Sequence, residues 1–330
     1  MNKSLAILLV LVVLQCGLSG IAMAQAQSDP CSKTADIAFA YGAPIGFLCF
    51  GWGTPTGLSF CKFPTCPPPG ITGRGDCPFC SKPVSLATGN TYIEQTDLRI
   101  PGLSGGLSLM RRWNSQWPST QTASQVGLFG PNWRSTYEER VFPDGNGYML
   151  YVRGDGSFWG FSVASPGWVV VAPGNAGATL VQGTSYWTLT LKNGEQKRFD
   201  LTSGSLTAII DRNGNTTQLT YDGLNRLVTV TDPASRQLTF TYASNTSFLV
   251  TGVSSSVGIS LAYAYDTQNR LIQVTKPDQT ILTFQYNTNS MITAVLDSNG
   301  KVLESHTYDG SQRGLTASRA NGIEAVTISY

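Results

Sequence analysis

The stretch YDGLNRLVTVTDPASRQLTFTY, Tyr221 to Tyr242, decides how this chain is read, because versions of it recur to the end of the sequence. Aromatic anchors fall at Phe199, Tyr221, Tyr242, Tyr265, Tyr286, Tyr308 and Tyr330, with gaps of 22, 21, 23, 21, 22 and 22 residues. Asp follows at Asp200, Asp222, Asp266 and Asp309. A fixed period above about 20 residues marks a repeat architecture. Two residues before each tyrosine stand Leu219, Phe240, Tyr263, Phe284, His306 and Ile328, and four before stand Thr217, Leu238, Leu261, Leu282, Glu304 and Val326. In a strand that spacing puts them on the tyrosine's own face. Leu206, Leu227, Leu249, Leu271, Ile292 and Leu315 then open a second strand. Asn213-Gly214, Asn299-Gly300, Asn321-Gly322, Asp232-Pro233 and Lys276-Pro277 supply turns. Each unit therefore reads as strand, turn, strand, turn. One unit cannot bury its apolar face alone, but several stacked units can.

Composition agrees with an all-β chain. Of 330 residues, 35 are glycine and 13% are charged, with a formal balance of +2. So weak a charge gives no electrostatic case for a nucleic-acid partner. Residues 1–24 read as a secretory signal. Lys3 is the basic start, Leu5 to Leu14 is too short to span a bilayer, and Ala22-Met23-Ala24 is a small-x-small cleavage site. No later apolar run is long enough to cross a membrane, so the expected location is secreted or cell-surface. Residues 25–80 form a Cys-, Pro- and Gly-rich leader holding Cys31, Cys49, Cys61, Cys66, Cys77 and Cys80. An even number in an exported chain reads as disulfides, with the pairing open. The alternative is a zinc site from Cys61, Cys66, Cys77 and Cys80, spaced x4, x10 and x2. Residues 81–198 mix aromatics with hairpin dipeptides such as Asp144-Gly145 and Asp155-Gly156, and read as a small antiparallel β domain. Residues 199–330 are about six repeats.

YDGLNRLVTVTDPASRQLTFTY, YDTQNRLIQVTKPDQTILTFQY and DRNGNTTQLTYD resemble the YD-repeat, or rearrangement-hotspot (Rhs), family. PVSLATGNTYIEQTDLRIPG, LSLMRRWNSQ, GLFGPNWRSTYEERV and DGSFWGF resemble the domain that opens many such proteins. The resemblance covers about residues 79–330 and implies a β-sheet spiral, here an incomplete shell led by the antiparallel domain. In that family the shell commonly encloses a C-terminal toxin, and other members are surface or wall-associated. No toxin or core region is recognised in this sequence.

No cofactor or catalytic residue is expected. Gly102-Leu103-Ser104-Gly105-Gly106 fits G-x-S-x-G, but LSLMRRW after it reads as strand rather than the helix a nucleophile elbow needs. The single histidine, His306, sits in a packing column. Arg74-Gly75-Asp76 and Arg153-Gly154-Asp155 read as turns, as do the oxygen-rich Asp144, Asp211 and Asp297 segments, which lack a complete calcium loop. Trp113, Trp117, Trp133, Trp159, Trp168 and Trp187 fit core packing, with stacking on sugar as the alternative. The expected function is an exported, non-catalytic scaffold of a surface or toxin-delivery protein. The alternative is a secreted wall- or carbohydrate-binding protein. Expected partners are a protein pairing with an open edge strand at Tyr330, or a glycan. Three disulfides predict an intact mass about six hydrogens below the reduced value; free thiols with bound zinc would overturn the pairing.

Overall fold

The computed structural model describes residues 48–49, 59–60, 84–85, 88–116, 127–319 and 325–330. The signal segment lies outside them. So do the side chains of all six leader cysteines, and with them the disulfide and zinc readings. All regular structure in the described residues is strand, apart from one 3-10 turn, Leu103–Gly105. Leu48–Cys49 (β1) and Ser59–Phe60 (β2) pair with each other.

Tyr92–Ile100 (β3), Leu107–Asn114 (β4) and Trp133–Ser135 (β5) form a separate three-stranded sheet. A second sheet starts at Arg140–Pro143 (β6), Met149–Val152 (β7), Phe158–Ala164 (β8) and Gly167–Ala172 (β9). It continues through Thr179–Gln182 (β10), Tyr186–Thr190 (β11) and Gln196–Asp200 (β12). The repeat strands follow without a break: Leu206–Ile210 (β13), Thr216–Tyr221 (β14), Leu227–Thr231 (β15), Gln237–Tyr242 (β16), Val250–Ser255 (β17) and Ser260–Tyr265 (β18). Leu271–Thr275 (β19), Ile281–Tyr286 (β20), Ile292–Leu296 (β21), Val302–Tyr308 (β22), Gly314–Arg319 (β23) and Val326–Thr327 (β24) complete it.

Every strand from β6 to β24 pairs antiparallel with its chain neighbours. Among the described residues the sheet closes on itself where β6 turns back. The closing contact that carries hydrogen bonds is local: Arg140 bridges Ser205, the Val141 amide donates to the Gly204 carbonyl at 3.0 Å, and the Leu206 amide donates to Glu139 at 3.2 Å. Thus β6 folds back against the turn between β12 and β13, and no ladder joins it to β24 among the described residues. Gly204, at φ 69°, leaves room there for the Val141 backbone, which a Cβ would strike. Strands 140–200 thereby give the first repeats paired neighbours, as a cap should. Strands β3–β5 do something the sequence did not suggest, and lie across the repeats themselves.

The repeat is held by a relay of three side chains. Each tyrosine hydroxyl donates to the carbonyl of the residue that opens the previous unit's second strand, or lies beside it. Tyr221 reaches Leu206, Tyr242 reaches Leu227, Tyr265 reaches Val250, Tyr286 reaches Leu271, Tyr308 reaches Ile292 and Tyr330 reaches Gly314, at 2.6–2.9 Å. The following Asp closes the turn. Asp222 Oδ1 accepts the amides of Leu224 and Arg226, while Oδ2 takes the Arg226 guanidinium. Asp266 with Arg270 and Asp309 with Arg313 repeat this arrangement. The arginine then lies over the next tyrosine ring, 4.6 Å for Arg226 on Tyr242, 4.8 Å for Arg270 on Tyr286 and 4.2 Å for Arg313 on Tyr330. Asn225 and Asn269 take the positive φ these turns require, and Gly214 and Gly300 do so in others.

Simple alternation fails at the tyrosines. Register shifts fall at Thr220/Tyr221, Thr241/Tyr242, Ala264/Tyr265, Gln285/Tyr286 and Thr307/Tyr308. A bulge adds a residue, bends the strand and re-aims the side chain. Here it swings each ring onto the previous unit, where it packs half-buried against the core.

Tyr242→Phe removes one hydroxyl-to-carbonyl bond and should lower unfolding free energy by about 1 kcal/mol in urea titration; no change would remove the hydroxyl from the account of the repeat. Partial burial raises the Asp222, Asp266 and Asp309 carboxyls, but the arginine amide and guanidinium outweigh it and hold them below their ordinary 3.8. A depressed folded value stabilises above the unfolded one and is lost as pH falls through it. Stability should therefore drop below about pH 4, and less steeply in a triple Asp→Asn variant.

Candidate functional site: the clamp between the inner sheet and the repeats

β3 carries an extra residue. Thr96 faces Met110 and Leu98 faces Leu109, so Asp97 is the bulged residue between them. The bulge turns its carboxylate inward. Arg111 on β4, fully buried, grips both Asp97 oxygens, with Nη2 to Oδ1 at 2.8 Å and Nε to Oδ2. From the repeat sheet, the Tyr263 hydroxyl donates to the same Oδ2 at 2.8 Å. The guanidinium lies 4.7 Å from the Trp133 ring centroid and 5.4 Å from those of Phe129 and Tyr263. Burial lowers the Arg111 pKa, but the attraction and hydrogen bonds of Asp97 more than reverse this, and the net shift is upward. Burial, then Asp97, push the Tyr263 phenol well up.

Aromatic contacts extend the clamp along successive repeats. Phe129 meets Tyr263 at 4.7 Å, Trp133 meets Phe284 at 5.3 Å and Trp113 meets Tyr308 at 6.5 Å between ring centroids. Backbone bonds join the same surfaces: Val250 N–H to Leu128 O and Gly314 N–H to Gly89 O, both 2.8 Å. Ile93, Leu107, Leu109, Phe129 and Trp133 belong to one core with Leu238, Val253, Leu271, Val274 and Ile292 of the repeats. A second buried ion pair fixes β6. Lys197 Nζ sits 2.9 and 2.7 Å from the Glu139 oxygens, and the Tyr151 hydroxyl donates to Glu139 at 2.6 Å.

The sequence-expected groups fall into structural roles. Trp113 and Trp133 are wholly buried, Trp187 is buried, and Trp159 and Trp168 pack half-buried on the core. These are core positions, and Trp117 lies outside the described residues. Ser104 sits in the 3-10 turn between β3 and β4, a hairpin and not a strand-to-helix elbow. His306 is 2% exposed and 3.6 Å from Glu304, which also meets Arg319 at 3.0 Å. Arg153 and Asp155 pair with each other at 3.2 Å within their hairpin turn. Asp144, Asp211 and Asp297 each accept amides two and four residues on, the geometry of turns. Asp97, Arg111, Glu139 and Lys197 carry no motif; their signal in the sequence is a charge inside an otherwise strand-like run.

This geometry defines a class, a β-repeat scaffold whose inner face is covered by its own preceding segment. The RHS repeat profile matches residues 202–242 and 265–302, and a profile described as a domain of unknown function, DUF6531, matches residues 81–161. Residues 202–242 and 265–302 are thus RHS, or YD, repeats. The chain is 29% identical over 141 residues to the tRNA nuclease WapA of Bacillus subtilis (strain 168), a match covering 43% of this chain and 6% of that protein. The tRNA3(Ser)-specific nuclease WapA of Bacillus spizizenii matches with the same identity and coverage. The chain thus spans a small fraction of the curated relatives it matches. Among solved structures, that of TcdB2-TccC3-Cdc42 aligns at a TM-score of 0.30 and 13% identity, over 69% of this chain and 15% of that one.

Asp97→Ala leaves Arg111 buried without its partner and should cost about 3–5 kcal/mol. The paired change Asp97→Leu with Arg111→Met should cost less than the sum of the two single changes, measured by denaturant titration; a cost equal to that sum would mean that the two residues act independently.

Proposed function

We propose that the chain is an exported, non-catalytic scaffold from a YD-repeat surface or toxin-delivery protein. The observation that carries this reading is the clamp. The apolar face of the repeats is filled by β3–β5, pinned through Asp97, Arg111 and Tyr263. A register shift recurs at the same place, just before the tyrosine, in successive units, and bulges bend strands, which supports a coiled, spiral sheet. The charged groups of the clamp are spent on one another, which suits a structural role better than acid–base work. The WapA proteins are named as tRNA nucleases, and the stretch shared with them is 6% of their length; the role assigned to that stretch is the frame and not the nuclease. Export rests on the leader, and no helix among the described residues is long and apolar enough to cross a membrane.

Expression with the intact leader in a bacterial host, followed by fractionation and N-terminal sequencing, tests the reading. The expected product is extracytoplasmic, starts at Gln25, and keeps residues 84–330 together under limited proteolysis. A cytosolic product retaining residues 1–24 would refute export. Early release of the 84–137 segment would refute the clamped scaffold.

A further inference from the structure

A cavity of about 510 Å³ opens where the 127–140 segment meets the tyrosine-side turns of the first repeats. Its floor is charged and its mouth is apolar. Arg134, Glu138 and Arg140 line the floor. Leu224 and Phe248, 49% and 48% exposed, stand at the mouth.

The charges around it do not balance. Glu139 is taken by Lys197 and Tyr151, and Arg226 by Asp222. Glu138 Oε1 accepts the Leu128 amide at 2.6 Å, and its charge acts on Arg134. Arg140 is left over. Its Nη2 donates to the Ser203 carbonyl at 2.7 Å, its Nε is buried without a hydrogen-bond partner, and no carboxylate forms an ion pair with it among the described residues. Burial lowers its pKa, and the group opposing that effect is Tyr221 rather than an acid. Burial also raises the Glu138 carboxyl, against the attraction of Arg134 and the hydrogen bonds from Leu128 and Ser135.

We propose that this cavity receives a peptide carboxyl terminus ending in an apolar residue. The terminal carboxylate takes the free edge of the Arg140 guanidinium, a desolvated, charge-assisted contact of the strongest hydrogen-bonding kind. The terminal side chain covers Leu224 and Phe248. Asn225, whose Nδ2 donates to Ser205 Oγ, keeps its Oδ1 for the peptide backbone, and Ser247, whose Oγ accepts the Leu249 amide, keeps its hydroxyl proton. The volume lies in the usual range for small-ligand sites, about 300–1,000 Å³. This site is independent of the scaffold reading, since neither the clamp nor export enters the argument.

The test titrates the full exported chain with N-acetyl-Leu-Phe and, separately, with its C-terminal amide, by calorimetry. The acid should bind at least about tenfold more tightly than the amide, the worth of one charge-assisted contact. Arg140→Met should erase that preference, and Phe248→Ser, on an exposed turn, should weaken both ligands without changing the melting temperature. Should Arg140→Met fail to fold, Arg140→Lys keeps the charge but not the fork and should reduce the preference. Equal binding of acid and amide, no binding of either, or an Arg140→Lys and Phe248→Ser pair with wild-type affinity would overturn the proposal. Decanoate binding as tightly as the peptide acid would overturn the peptide assignment.

Discussion

A sheet of stacked YD repeats has one face made of leucine, valine and aromatic columns, and that face has to be covered by something. In this chain the cover is the β3–β5 sheet, and the Asp97–Arg111 pair sets how it lies. The pair is buried, so its net stabilisation is small against the cost of stripping water from two charges. Its consequence is positional. A desolvated carboxylate needs all its partners, and Tyr263 is the partner the repeat sheet supplies. Sliding the cover by one strand would leave a buried charge short of a hydrogen bond. The aromatic contacts to Phe284 and Tyr308 then follow at the spacing of the repeats.

The repeat solves a different problem, that of joining unit to unit without relying on the cover. Each tyrosine reaches backward to a carbonyl of the previous unit, and each arginine reaches forward to the next ring. The aspartate between them ties both to one turn. Coupling between neighbours is what turns a row of marginal hairpins into one cooperative sheet. It also explains how departures from the motif are tolerated. Asn287 stands in the aspartate position after Tyr286 and still accepts the amides of Asn289 and Met291. The turn therefore needs an oxygen, and the charge serves the arginine.

Legibility followed the range of the interaction. The all-β class, the strand–turn–strand unit and the tyrosine columns could be read because period-two patterning and turn residues act over a few positions. Trp113, Trp133 and Trp187 fit the core reading because an indole in an alternating strand needs apolar cover. The bulges were not legible, since nothing local distinguishes Thr241-Tyr242 in a bulge from the same pair in a regular strand. The roles of Asp97 and Arg111 were hidden because their partner Tyr263 is 166 residues from Asp97 along the chain. Arg140 was hidden for the opposite reason, as its significance is the lack of an ion-paired acid among the described residues, which only its spatial neighbours reveal.

The sequence by itself determined the repeat: its length, its turn chemistry and the face of the residues ahead of each tyrosine, all of which are short-range steric and hydrogen-bonding matters. The tertiary structure alone decided where the preceding segment goes. The sequence suggested a cap on the end of the sheet, and the fold places β3–β5 across its face. An end and a face both offer apolar surface, and burial is non-directional. The choice between them is made by directional contacts, the Asp97 carboxylate and the backbone pairings of Leu128 and Gly89, and these join residues that are far apart in the chain.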